Sequence, residues 1–517
     1  MAVSLKTLFL VMFCLSSPLV TGDNLHFVDR SELLNVSMSH FLGSMRTTVD
    51  TVRQMISMLS NFTVKFNDFR LSNALSDCLD LMELSVDELS WILSASQNSD
   101  GKENNSHENV RGDMRAWLSG VLINQDTCLE GFDGTNSTFE SSIGNSLNKI
   151  TTLTHDILSM VPTKSKGDTA GGGGGASGGR KLKTDDQFPY WLKSNDRKLL
   201  QAANSTAIDV VVTADGTGNF TSIMDAISAA PEYNTRRYVI HVKRGVYKEY
   251  VEIGKKKLNI MIIGDGMDVT IISGNRSYGD AWTPYRSATF GVMGKGFIAR
   301  DMTFENTAGP LKHQAVAFRS NSEFSVVHRC AMRGHQDTLY PHSLRQFYKE
   351  CQITGTVDFI FGRGTVVFQN CQILARKGLP KQKNTITAHG RVNPIDSSGF
   401  SIQFCNISVE PNVSNPTYLG RPWKNFSRTI IMESYISEAI RPEGWLEWNG
   451  GVYLDTLFYA EYMNYGPGAC LGGRVKWPGY RIINESAQVN QFTVAQFISG
   501  NTWLPSTGVN YTAGLAF

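Results

Sequence analysis

The chain has 517 residues, enough for roughly two to four domains of ordinary size. It is 41% hydrophobic and 19% charged, which excludes a chain that is disordered or collagen-like throughout. Net charge is only +2, yet 31 lysines and arginines stand against 24 acidic residues after position 200, and 18 against 23 before it. The two parts therefore carry opposite charge. Basic residues of the second part are scattered, with no stripe interleaved with aromatics, which argues against nucleic acid as a partner.

At the N-terminus, Lys6 precedes the apolar residues 8–15 and a run of small residues ending at Gly22. This pattern predicts a secretory signal peptide over 1–22, too short to span a bilayer, and no membrane span follows it. Secretion permits disulfides. It also fits about a dozen Asn-x-Ser/Thr sequons, among them Asn61, Asn136, Asn275 and Asn425. Of eight cysteines, Cys14 leaves with the signal, so at least one of the rest lacks a partner in the chain. No CxxC pair and no HExxH motif occurs, so no zinc site is expected.

From 23 to 161 apolar residues recur at three- and four-residue steps, as in Leu71, Leu75, Cys78, Leu79 and Met82, with no proline. Helices are predicted near 28–60, 66–97, 108–131 and 136–160, forming an all-α, up-and-down four-helix bundle with Cys78 and Cys128 on facing helices. The stretch DMRAWLSGVLINQDTCLEGF at 113–132 closely resembles the plant invertase and pectin methylesterase inhibitor family. That family usually carries a second cysteine pair in an N-terminal hairpin, which this chain lacks.

Residues 162–200 read as a linker, with GGGGGASGG at 171–179 giving a near-random coil. Arg197-Lys198, within DRKLL, resembles the processing motif that separates pro-region from enzyme in plant pectinesterases; a processing protease is the implied partner. Tethered to a basic partner, the acidic bundle is expected to hold against it in cis.

After residue 208 the pattern changes to short β-branched and aromatic runs such as YVIHV, FSVVHRC, RQFYKECQI and TVVFQNCQI. They repeat at about 20–35 residues, the mark of a stacked array. Cys330, Cys351, Cys371 and Cys405 mark its register. Equivalent positions on successive coils lie about 4.8 Å apart, within disulfide range of Cα atoms, so Cys330–Cys351 and Cys371–Cys405 are the expected bonds, leaving Cys470 over. Asp337 and Asp358 each follow a cysteine of this series by seven residues. The register stacks the two carboxylates on neighbouring coils, where repulsion favours one protonated and one ionised group, the division needed by a general acid and a nucleophile.

KHQAVAFR at 312–319, HQDTLY at 335–340, GTVDFIFG at 355–362 and LGRPWKNFSRT at 419–429 together resemble the pectinesterase family of carbohydrate esterases. The resemblance implies a right-handed parallel β-helix over 201–517 and an extracellular enzyme acting on methyl-esterified homogalacturonan of the cell wall, with no cofactor. Residue by residue, it implies Asp358 as nucleophile, Asp337 as general acid and then base, Gln336 and Gln314 as oxyanion and substrate contacts, Arg421 as carboxylate partner and Trp423 as sugar platform. His335 and Arg363 depart from the family pattern. The other readings are a β-helix galacturonan depolymerase, whose hydrolase form needs an acid/base pair about a glycosidic bond and whose lyase form commonly recruits calcium, and a non-enzymatic pectin-binding or inhibitory protein.

Overall fold

The computed structural model describes residues 33–62, 68–97, 107–135, 139–163 and 207–516. The expected signal peptide, the glycine run of the linker, Asn136 and the Arg197-Lys198 dipeptide lie outside the described residues.

Four helices form the first part: α1 (Met38–Ser60), α2 (Phe69–Gln97), α3 (His107–Glu130) and α4 (Phe139–Met160). The first starts at Met38, later than the sequence pattern predicts, because Ser37 is extended and its hydroxyl accepts from the His40 amide, capping the first turn. On α1 the stripe Phe41, Met45, Val49, Val52, Met55 and Leu59 is buried. Helices α2 and α3 run antiparallel. Cys78 and Cys128 are disulfide-bonded with their Cα atoms 4.5 Å apart, and one turn back along α3 Asn124 donates to Ser85 and Glu88, further along α2. No helix among the described residues is long and apolar enough to cross a membrane.

The second part is a parallel β-helix. Its strands pair in parallel into three sheets of eleven, seven and eight strands among the described residues. A complete coil gives one strand to each sheet: Ser325–His328, Ala331–Arg333 and Leu339–Pro341 make one turn, and Arg345–Lys349, Gln352–Gly355 and Ile360–Gly362 lie directly on them. From Ile298–Arg300 onward, the corner between the first two strands of a coil carries one residue in the left-handed region. Asp301, Arg329, Glu350, Asn370, Phe404, Glu433 and Met463 take this place with φ between 47° and 60°. A single left-handed residue turns the chain sharply without a loop, so the next side chain enters the stack interior.

Cys330, Cys351, Cys371 and Cys405 occupy that next position, and all four are buried free thiols. The expected Cys330–Cys351 and Cys371–Cys405 bonds are therefore corrected. The residues after these cysteines pair in register, Ala331 with Gln352, Gln352 with Gln372 and Gln372 with Asn406. In-register neighbours carry parallel Cα–Cβ bonds about 4.8 Å apart, whereas a disulfide needs Cβ atoms converging to about 3.8 Å. The thiols instead donate to backbone carbonyls, Cys330 to His328 at 3.4 Å and Cys351 to Val327 at 3.2 Å.

One buried apolar cluster runs along the β-helix interior. Another joins the two parts: Tyr285, Val316, Tyr340, Leu344, Phe361 and Ala388 of the β-helix pack with the core of the bundle. The bundle thus lies on the outer face of the seven-stranded sheet.

Candidate active site

Asp337 and Asp358 sit two residues before Leu339 and Ile360, which pair in parallel across adjacent coils. The register places the carboxylates as the cysteine spacing predicts. Both residues have left-handed backbones, φ 63° and 50°, a conformation that costs about 1–3 kcal/mol in a non-glycine residue and clusters at functional sites.

Their surroundings differ sharply. Asp358 meets only donors: Arg421 Nε and Nη2 donate to Oδ1 at 2.8 Å and Oδ2 at 2.7 Å, and Thr385 Oγ1 donates to Oδ1 at 2.6 Å. The same Thr385 hydroxyl accepts from the Asp358 amide at 2.9 Å. Asp337 is buried, and no donor engages its carboxyl among the described residues. Burial pushes its pKa well above the usual carboxylate range; the Asp358 charge adds to the rise and Arg421 opposes it. Two carboxyls on adjacent coils thus stand in contrasting environments, one ringed by donors and one buried without any.

A cavity of about 360 Å³ opens over this pair, lined by Gln314, Gln336, Arg421 and Trp423 together with Tyr285, Tyr340, Phe361, Lys424 and Trp448. Every sequence-derived catalytic and substrate residue therefore faces one space. The amides of Gln314 and Gln336 make no side-chain hydrogen bond among the described residues, which leaves both able to donate to a ligand oxygen. His335 stands beside this group, and burial, followed by the Arg376 charge, pushes its pKa down to about 4. It is neutral across mildly acid and neutral pH.

Two contributors escaped the sequence reading. Thr385, on strand Asn384–His389, reaches Asp358 from the next coil. Trp448 lies under the Arg421 guanidinium, whose Cζ is 4.1 Å from the ring centroid. Neither belongs to a motif with a chemical signature, although the pattern NTITAH, one coil after GTVDFIFG, was the available clue to Thr385.

The fourth wall comes from the bundle. Thr127, Glu130 and Gly131, at the end of α3, line the same cavity. Glu130 Oε1 accepts from Arg363 Nη2 at 2.6 Å and from Lys424 Nζ at 2.7 Å. Thr127 Oγ1 lies 2.8 Å from His342 Nε2, and Trp117 Nε1 donates to Glu323 at 2.9 Å. Acidic side chains of α2 and α3 face basic ones of the β-helix, with Asp77 and Asp80 on Arg286 at 2.6 and 2.5 Å and Asp113 on Arg345 at 2.7 Å. This is the charge asymmetry of the sequence expressed as contacts.

The Pectinesterase family model matches residues 209–501, and the Plant invertase/pectin methylesterase inhibitor model matches 12–160. Among similar proteins, Pectinesterase/pectinesterase inhibitor PPE8B of Prunus persica is 58% identical over 98% of this chain and 96% of its own length. Probable pectinesterase/pectinesterase inhibitor 32 of Arabidopsis thaliana is 53% identical over 100% of this chain and 98% of its own. Of solved structures, a pectin methylesterase from carrot shares 47% identity and a TM-score of 0.60, covering 60% of this chain and all of the carrot chain. A pectin methylesterase from Aspergillus niger shares 30% identity and a TM-score of 0.51 over 59% of this chain and 98% of its own. With the carboxylate pair, the coil register and both family models in agreement, the chain belongs to the pectinesterase family, carrying an inhibitor-like helical region ahead of the enzyme.

Proposed function

We propose that the chain hydrolyses the methyl esters of cell-wall homogalacturonan, releasing methanol, through a covalent acyl-enzyme on Asp358. The observation that carries this reading is the contrast between Asp358, saturated with donors, and Asp337, buried without one. A carboxylate oxygen of Asp358 attacks the C6 carbonyl carbon. The developing oxyanion accepts from the Gln314 and Gln336 amides, neutral donors that leave the nucleophile unprotonated. Asp337 gives its proton to the departing methoxide oxygen and methanol leaves. Now a base, Asp337 takes a proton from water as the water oxygen attacks the acyl carbon and the Asp358 carboxylate leaves; the galacturonic acid carboxyl departs and loses its remaining proton to solvent. Trp423 supplies an apolar platform for a sugar ring.

In this reading the bundle masks the cleft in cis until the chain is cut after Arg197-Lys198, and the enzyme acts outside the cell. Support comes from the end of α3, which lines the cavity. The test is methanol release from pectin by the full chain before and after cleavage of its linker. Methanol should rise on cleavage with polymer length unchanged. A fall in polymer length would favour a depolymerase instead, and absence of methanol from the cleaved protein would refute the esterase reading.

A further inference from the structure

Arg363 is almost wholly buried, at 2% exposure of its side chain. Its Nε donates to the Gly390 carbonyl at 2.8 Å, and its Cζ lies 4.9 Å from the centroid of Trp423. Nη2 is taken by Glu130, while Nη1 is buried with no hydrogen bond, the Asp126 carboxylate standing off at 3.5 Å. Lys424 lies near the same tryptophan, its Nζ 5.6 Å from the ring centroid. Both cations meet on one oxygen of Glu130.

Every carboxylate paired with Arg363 or Lys424 among the described residues comes from α3. Among the described residues the β-helix places none at ion-pair distance from either cation, although its buried Asp396 feels the Arg363 charge. It therefore carries, beside Trp423, two converging cations whose counter-charge is borrowed from the bundle. An ammonium and a guanidinium on one oxygen form a carboxylate site, since fork-like donors suit that group. Any ligand that replaces the bundle must answer both charges or leave a buried guanidinium unpaired.

We infer that Arg363 and Lys424 form a subsite for the free C6 carboxylate of an unesterified galacturonate residue, next to the residue whose ester reacts, and that Glu130 occupies this subsite in the full chain. The inference rests on the reading of the cleft as a pectinesterase site. A sugar stacked on Trp423 would have both cations within reach of its C6 group, since they lie 4.9 and 5.6 Å from the ring centroid. A methyl ester there offers no charge, so the subsite selects against it by about tenfold or more, the order of a charge-assisted hydrogen bond. Each turnover then makes the group that the neighbouring position binds.

The test is binding of unesterified digalacturonate to the full-length protein, followed by tryptophan fluorescence. Glu130→Gln, which removes the carboxylate that the two cations share while leaving the bundle in place and Asp126 at 3.5 Å from Arg363, should bind at least about tenfold more tightly than wild type. Adding Arg363→Asn and Lys424→Gln should return binding to the wild-type level. Should the Arg363 change prevent folding, Glu130→Gln with Lys424→Gln, at a half-exposed site, should still bind about threefold or more weakly than Glu130→Gln alone. If Glu130→Gln binds no better than wild type, or if binding survives loss of the cations, the subsite does not exist and the pair serves only to hold the bundle. Methanol release is read separately on the linker-cleaved protein, so a protein that binds digalacturonate through this pair but releases no methanol keeps the subsite and loses the esterase reading.

Discussion

Arg421 holds both oxygens of Asp358 in a two-point grip, at 2.8 and 2.7 Å, across 63 residues of sequence. The fork fixes the plane of the carboxylate, and with Thr385 on Oδ1 it determines which lone pairs remain for attack. Lysine offers a single ammonium in place of that planar fork. Arg421→Lys should therefore lower kcat by about 10- to 100-fold with a smaller change in KM. Steady-state methanol release gives both constants, and unchanged kcat would show that the grip is dispensable.

Replacing either carboxyl should be far more damaging. Asp358→Asn removes the nucleophile and should cost at least about 10³-fold in kcat with the fold retained by circular dichroism. Asp337→Asn should be similarly severe, because one group serves as acid in the first step and base in the second. Near-normal activity in either verified variant overturns its role.

Docking of the bundle should depend on pH, in a direction set by buried carboxyls of both parts. Burial raises Asp77 to about 6 against the opposing pull of Arg286 and Thr283. It raises Asp396 to about 7, in the loop whose Ile395 carbonyl accepts from Arg115 of α3 at 2.6 Å. Asp80, Glu88 and Asp126 are raised as well, each by burial first. A carboxyl whose pKa is higher in the docked state binds its proton more tightly there. Its favourable contribution is complete at low pH and is lost as pH rises through about 6 for Asp77 and about 7 for Asp396. Glu323 opposes this: burial alone would raise it, but the Arg345 charge and hydrogen bonds, with Lys295, hold it below its ordinary value, so its opposing effect falls below that window. His342, pushed well below its usual range by burial, is neutral throughout. Once the linker is cut, the two parts should associate at least about tenfold more tightly at pH 5 than at pH 8, as co-elution on gel filtration would show; equal or weaker association at pH 5 would contradict it.

The cysteine ladder should be chemically silent until the protein unfolds. All four thiols are buried, out of reach of a reagent, and burial also pushes the Cys330 thiol up to about 12, which leaves it almost no thiolate to react. Of the cysteines after residue 200, Cys470 alone is exposed. A thiol reagent should modify Cys470 in the native protein and reach Cys330, Cys351, Cys371 and Cys405 only in denaturant. Peptide mapping that finds a bridge among those four would reverse the correction made above.

The stacked array, the equivalence of Asp337 and Asp358 and the facing of Cys78 with Cys128 are legible in the sequence. They depend on local repetition: strands of nearly constant length, corners of one residue, and apolar steps on each helix. A fixed interval between residues on adjacent coils is a distance in the chain that becomes a position in space. The same register could not disclose whether stacked cysteines bond, because that turns on the direction of Cα–Cβ vectors rather than on spacing.

Tertiary structure alone decided the rest. Thr385 reaches Asp358 across 27 residues, and Arg421 across 63, with loops of unequal length between the coils concerned. Glu130 meets Arg363 across 233 residues, over a linker whose sequence encodes no geometry. Such pairings depend on how insertions fold back and on which face of the β-helix the bundle covers, and both are set by packing and charge over whole surfaces. The sequence by itself determined the repeating frame and its carboxylate pair; the packed molecule decided which partners hold that pair and which carboxylate fills the cleft beside it.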